Sequence, residues 1–313
     1  MIPALVLTAG HATRLRPLSF VRAKAALPVA GQPLAGRILR RLASAGVTDA
    51  VLNLHHLPHT LTTLIGDGSD AGLRVRYSWE VPVLGSAGGP RRALPILGAS
   101  TFLIVNGDTL TDIDVAAVVA DHRRSGALVT MAVVPSDDPA KYGGVVAEKD
   151  GAVTGFARRG SARQSYHFVG IQVAEAEAFA SVPDATPYES VGALYPALIE
   201  ARPGSVRAFV TSGDFLDIGT PDDYLRTSLL LAGREGAPLH GRDARVHASA
   251  RIEESVLWDD VEVGEGTMLR QCVVTDGVHV PADTSWIGVT MRRPNGELAP
   301  GERVIDGVAI SSL

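Results

Sequence analysis

The chain has 313 residues, with 29 lysines and arginines against 34 aspartates and glutamates, a net charge of −5 and 46% hydrophobic residues. That length suits one large domain plus a smaller one, and the mild acidity argues against the clustered basic face of a nucleic-acid binder. No run reaches the roughly 18 apolar residues of a membrane span, and no signal peptide is expected, because Met1 to Leu7 lead straight into a strand. A single cysteine, Cys272, excludes an intrachain disulfide framework and a cysteine-based zinc site, so a cytoplasmic, reducing compartment is the expected setting.

In chain order, residues 1–232 alternate between strands and helices. The apolar runs ALVLTA, AVLNL, RVRYSW, TFLIVNGD and LVTMAVV are separated by helical stretches such as PLAGRILRRLASAG and DVAAVVADHRRSG. In the first of these helices Leu34, Ile38, Leu39 and Leu42 recur at spacings of three and four, and Gly46 ends it. The second starts after Asp114 and stops at Gly126. This alternation predicts an α/β fold, Rossmann-like, with a mainly parallel sheet covered by helices on both faces. Ligands of such sheets gather at the carboxyl ends of the strands.

Residues 233–245 read as a polar linker, and beyond it the helical period disappears. Aliphatic positions return in steps of six at Val246, Ile252 and Trp258, then Val263, Leu269 and Thr275, then Val280. Hexads of this kind predict a short left-handed parallel β-helix of two coils within a cap spanning 246–313. Two coils bury little surface, so the cap is expected to mediate a homo-oligomer. The tail from Arg292 reads as a loop with one edge strand.

Four segments carry chemistry. After the first strand, Gly10 permits a tight turn whose amides can face phosphate oxygens, while Arg14 and Arg16 can pair with phosphate and Lys24 can return to the same anion. The spacing is neither a Walker A loop nor a dinucleotide fingerprint. In FLIVNGDTLTD, Asp108 stands where a buried strand leaves the sheet, a position suited to Mg²⁺ bound also by phosphate. Asp217 in DFLDIGTPDDYL is a second strand-end carboxylate, able to share one metal. In YSWEVPVLGSAGGPRRAL, Gly85, Gly88 and Gly89 could let a flat ring lie on the backbone, with Glu80 accepting from a base edge. Two adjacent donors on guanine would suit that carboxylate.

Taken together and in order, GHATRLRP, AKAALPVAGQPL, VLGSAGG, VNGD and DIGTP resemble the sugar-1-phosphate nucleotidyltransferases over about residues 1–230. The hexads are similar to the β-helix of mannose-1-phosphate guanylyltransferases. The resemblance implies a Mg²⁺-dependent enzyme in which a sugar 1-phosphate attacks the α-phosphorus of an NTP and pyrophosphate leaves, with no nucleic-acid or membrane partner. By position it implies nucleotide contacts at Gly10, Thr13, Glu80, Gly85 and Gly88, and catalytic charges at Arg14 and Lys24. Metal contacts would fall to Asp108 and Asp217, and sugar contacts to Gly143, Arg159 and Gly170. GTP with a mannose-like 1-phosphate is the leading expectation. The alternatives are a UTP enzyme like the N-acetylmuramate-1-phosphate uridylyltransferases, suggested by YHFVGIQV, and a non-catalytic NDP-sugar-binding regulatory subunit. Three departures bear on that choice: Ala12 replaces the second loop glycine, Ala25 a proline, and Arg158 a glutamate. An alanine forced to positive φ at position 12 is expected to carry strain of about 1 kcal/mol.

Overall fold

The computed structural model describes residues 2–136, 143–161 and 163–313. Its first elements are β1 (Ala4–Leu7), β2 (Pro28–Val29), β3 (Gln32–Pro33), α1 (Leu34–Ser44), β4 (Asp49–Leu54), α2 (Pro58–Ile65), β5 (Arg74–Trp79) and α3 (Gly85–Leu97). There follow β6 (Thr101–Asn106), β7 (Thr109–Thr111), α4 (Val115–Ser125), β8 (Val129–Pro135), β9 (Gly144–Ala147), β10 (Val153–Ala157) and β11 (Tyr166–Glu175). Next come α5 (Tyr195–Ala201), β12 (Val206–Val210), β13 (Phe215–Asp217) and α6 (Pro221–Glu235). The chain forms two compact units. One unit comprises Met1–Gly10, Gly36–Pro58 and Ile65–Leu216; the other comprises His11–Ala35, His59–Leu64 and Asp217–Leu313.

The first unit is built on a nine-stranded sheet with the path β10-β9-β11-β6-β1-β4-β5, and β8 and β12 extend it beside β11. The strands β6, β1, β4 and β5 are parallel, as are β8 and β12. The sheet is more mixed than the sequence suggests, because β11 runs antiparallel to both β6 and β8. Parallel pairing needs a crossover of a dozen or more residues, usually a helix, whereas among the described residues β9, β10 and β11 follow one another without a helix between them. The core gathers Leu5, Val51, Phe102, Ile104, Met131, Val133, Phe179 and Tyr195. Helix α4 begins and ends as expected: Asp114 accepts from the Ala117 amide at 3.1 Å, and Gly126 closes the helix at φ +63°.

In the second unit, β14 (Arg245–Val246), β15 (Arg251–Glu253), β16 (Val256–Leu257), β17 (Glu262–Val263), β18 (Met268–Arg270), β19 (Val273–Val274), β20 (His279–Val280), β21 (Ser285–Ile287) and β22 (Val289–Arg292) stack in parallel. Three faces result: β14-β17-β20, β15-β18-β21 and β16-β19-β22. Each face carries three rungs, so the two-coil expectation is corrected. The third rung of two faces falls in SWIGVTMR, which lacks an aliphatic at the next expected step. Register partners such as Arg245, Glu262 and His279 lie 17 residues apart. One position is therefore lost from each turn of three hexads. The loss falls before Leu257 and Val274, which occupy the coil interior with Val263, Leu269 and Val280. Trp258 instead packs edge-on to Tyr224, its Nε1 donating to the Tyr224 hydroxyl at 2.8 Å. The tail holds two strands rather than one, β23 (Arg303–Ile305) and β24 (Val308–Ser312), the latter antiparallel to β22.

The loop after β1 also belongs to this second unit and docks on the coils. Arg22 donates from Nε and Nη2 to the two Asp276 oxygens at 2.7 and 2.6 Å, and from Nη2 to Asp259 at 2.9 Å. The two aspartates sit 17 residues apart on successive coils, and the guanidinium lies 5.3 Å from the Trp258 ring centroid. Burial works against the Asp259 carboxylate, but bonds from Arg242 and Arg22 outweigh it and hold its pKa below the ordinary aspartate value.

Candidate active site

In the first unit the expected residues cluster at strand ends. Gly10 follows β1 and is exposed, with open space around the position of an added Cβ. Beside it β6 ends in Asn106-Gly107-Asp108. The Gly107 amide donates to Leu7 O at 3.0 Å, and a Cβ there would lie 2.5 Å from that oxygen and 2.8 Å from Thr8 Cγ2. Only glycine lets the turn approach β1 this closely, and the turn presents Asp108 half-buried beside the Thr109 hydroxyl, 3.1 Å away. Gly170, at φ +79°, sits where the pairing of β11 with β8 shifts register. An added Cβ would meet Asn106 at 3.1 Å and Thr109 at 3.3 Å. The structure thus brings Gly170 against the Asp108 turn.

Gly143 and Arg159 are neighbours near the paired ends of β9 and β10, both exposed, with Arg159 N 3.8 Å from the place of a Gly143 Cβ.

Glu80 is held from two sides. It is 1% exposed, and both oxygens are engaged: Asn53 Nδ2 donates to one at 2.7 Å and the Leu84 amide to the other at 2.8 Å. Asn53 Oδ1 in turn accepts from the Thr8 amide at 2.5 Å. Thr8, Asn53, Glu80 and Leu84 therefore form one chain of hydrogen bonds tying the ends of β1, β4 and β5 to the start of α3. A carboxylate committed in this way fixes the loop. The sequence analysis missed Asn53, although a lone amide in the buried run AVLNL was a visible signal.

Gly85 and Gly88 lie close against a later segment of the chain. An added Cβ would lie 2.7 Å from Glu189 Oε1 at Gly85, and 2.6 Å from Thr186 O at Gly88. The space they leave is filled by residues 186–189, and the Ala87 and Gly88 amides donate to Tyr188 O at 2.9 and 3.2 Å. These glycines admit a later segment of the chain at close range.

In the second unit, Ala12 enters a 3₁₀ turn over Thr13–Leu15 at φ +49°, ψ +45°, so the alanine stands in the left-handed region. Thr13 and Arg14 are exposed on that turn. Asp217 ends β13, and Thr220 caps α6 by accepting from the Asp223 amide at 3.1 Å. Gly219 lies among charges: a Cβ placed there would be 3.5 Å from Arg14 Nη1, 3.4 Å from Asp217 and 3.2 Å from Asp223. Arg14 and Asp217 are therefore brought together, with Asp223 as a carboxylate the sequence analysis did not single out. Lys24 is half-buried at the start of the 3₁₀ turn Lys24–Ala26. Among the described residues no three His, Cys, Asp or Glu side chains gather as a metal cluster. Asp108 and Asp217 are oxygen donors, the type that suits a Mg²⁺ ion sharing substrate phosphates.

The family described as Nucleotidyl transferase matches residues 3–233, and the GlmU-like C-terminal hexapeptide family matches 237–297. A mannose-1-phosphate guanylyltransferase of Mycobacterium tuberculosis is 30% identical over 90% of this chain and 82% of its own length. An N-acetylmuramate alpha-1-phosphate uridylyltransferase of Neisseria meningitidis is 47% identical over a shorter stretch, 36% of this chain and 50% of that protein. Among solved structures, HddC from Yersinia pseudotuberculosis superposes with a TM-score of 0.65 at 22% identity, covering 74% of this chain and 100% of that one. The chain belongs to the nucleotidyl transferase family, with a C-terminal left-handed β-helix of hexapeptide type.

Proposed function

We propose that the chain transfers a nucleotidyl group from GTP to a mannose-like sugar 1-phosphate. A phosphate oxygen of the sugar attacks the α-phosphorus, the bond to the β-phosphate breaks, and pyrophosphate leaves with that electron pair. The NDP-sugar is the product. Residues 1–232 would carry the reaction, and the β-helix would hold a homo-oligomer of a cytoplasmic enzyme.

One observation carries the reading: Arg14 projects beside Asp217 on the turn that follows Gly10 and Thr13. Arg14 and Lys24 would offset the repulsion between two anions, the central electrostatic difficulty of the reaction. Gly10 and Thr13 would receive the triphosphate, while Gly143, Arg159 and Gly170 would border the sugar. Mg²⁺ held by Asp108 and Asp217 would supply positive charge to the phosphates. The choice of GTP and a mannose-like sugar rests on the Mycobacterium tuberculosis relative, whose match spans both parts of the chain. The Neisseria meningitidis relative favours a second reading, with UTP and an N-acetylmuramate-like 1-phosphate, through its higher identity over a shorter stretch.

The test is pyrophosphate release with Mg²⁺, each NTP and a panel of sugar 1-phosphates. GTP with mannose 1-phosphate is expected to turn over, and Asp108→Asn to lower kcat by at least about a hundredfold. Turnover only with UTP would move the assignment to the second reading. Silence across the panel, with NDP-sugar still binding, would identify a non-catalytic regulatory subunit. Sedimentation of the same preparation as a monomer would remove the oligomer.

A further inference from the structure

The loop that carries Thr13 and Arg14 cannot set its own shape. Between Thr13 and Ala26 it consists of three-residue 3₁₀ turns without side-chain caps, at Thr13–Leu15, Leu18–Phe20 and Lys24–Ala26. Such turns have few internal bonds, so their geometry comes from what packs against them.

What packs against Leu18–Phe20 is a knot between β22 and β23, built around Arg292. This side chain is fully buried, and all five of its N–H donors are used. Nε and Nη2 donate to Glu302 at 2.8 and 2.7 Å, Nη1 donates to Asn295 Oδ1 at 2.5 Å and to Arg293 O at 3.3 Å, and Nη2 also donates to Glu297 O. Glu302 in addition accepts from the Ala299 amide at 2.8 Å. A buried ion pair satisfied this completely fixes a geometry more than it adds stability.

The knot then reaches the loop in three ways. The Arg292 guanidinium lies 4.9 Å from the Phe20 ring centroid, and Asn295 Nδ2 donates to Phe20 O at 3.4 Å. Glu297 pairs with Arg16 at 3.7 Å, and Arg16 itself lies 4.8 Å from the same ring. Two cations thus flank one aromatic ring, and each has a carboxylate from the tail.

We infer that the C-terminal knot, residues 292–302, is a positioning element for the nucleotide loop, acting through Phe20. The inference rests on the reading of that loop as the triphosphate grip. The knot holds Phe20 and Arg16, in the loop from which Thr13 and Arg14 project.

The test compares Phe20→Leu, which removes the ring but keeps an apolar side chain, with Phe20→Tyr, which keeps the ring, and with the surface change Glu297→Gln. Phe20→Leu is expected to raise KM for the NTP about tenfold while leaving KM for the sugar phosphate unchanged. Glu297→Gln should raise KM for the NTP about twofold, and Phe20→Tyr should restore the wild-type value. An unchanged KM for the NTP in Phe20→Leu overturns the inference, and so does an equal rise in both KM values. Calorimetry on the unaltered protein separates the two ideas: if none of the NTPs binds with Mg²⁺, the reading of the loop itself fails.

Discussion

Ala12 offers a quantitative check on the nucleotide loop. Its φ of +49° and ψ of +45° place Cβ against the following carbonyl, at a cost of about 1–2 kcal/mol for an L-residue. The residue cannot relax, because its carbonyl accepts from the Leu15 amide at 2.9 Å and from the Ser19 hydroxyl at 3.0 Å. Ala12→Gly removes the steric cost but adds unfolded-state freedom worth about 0.5–1 kcal/mol. The balance is a stabilisation of roughly 0.5–1 kcal/mol, which for a chain of this size raises Tm by about 1–2 °C. Urea titration should show a higher midpoint at constant slope. Ala12→Val should move the other way by about 1 kcal/mol or more, since a β-branched side chain is worse in this conformation. A glycine variant no more stable than the parent would refute the reasoning, because the loop would then not hold residue 12 in the left-handed region.

Two further outcomes follow from buried groups. Glu80→Gln should destabilise the first unit by about 1–3 kcal/mol, because one of the two donors now facing the carboxylate would meet an NH₂. Its preference among NTPs should stay as in the parent protein, and a switch in base preference would show that Glu80 does face the base. Burial pushes the Cys272 thiol pKa up, so the thiolate fraction near neutral pH falls below that of a free cysteine. A disulfide reagent should therefore label Cys272 only as fast as the β-helix opens, and rapid labelling of the native protein would contradict its burial.

Local signals in the sequence were reliable where one residue decides a local feature. Asp114 and Gly126 start and stop α4, and Asn106-Gly107-Asp108 leaves β6 as read. Position 12 stands at positive φ, the condition under which its alanine was expected to carry strain. Features set by distant partners were not legible. Glu80 looks like any strand-end carboxylate until Asn53, 27 positions earlier, is brought beside it. The glycines at 85 and 88 suggest room for a ligand, but residues about a hundred positions later fill that room. The third coil escaped because the step of six after Val280 falls on Trp286, an aromatic rather than an aliphatic residue. The antiparallel course of β11 depends on the lack of a crossover, which apolar patterning does not encode.

The 17-residue coil makes the β-helix a ruler. Arg22 grips the corners at Asp259 and Asp276, and the Arg292 knot leaves the stack one rung later to meet Phe20. An inserted coil between these anchors would advance the knot by one strand spacing, about 4.8 Å. Hydrogen bonds and ring contacts tolerate only a fraction of that distance. For as long as both anchors grip the same short loop, the number of coils between them is fixed.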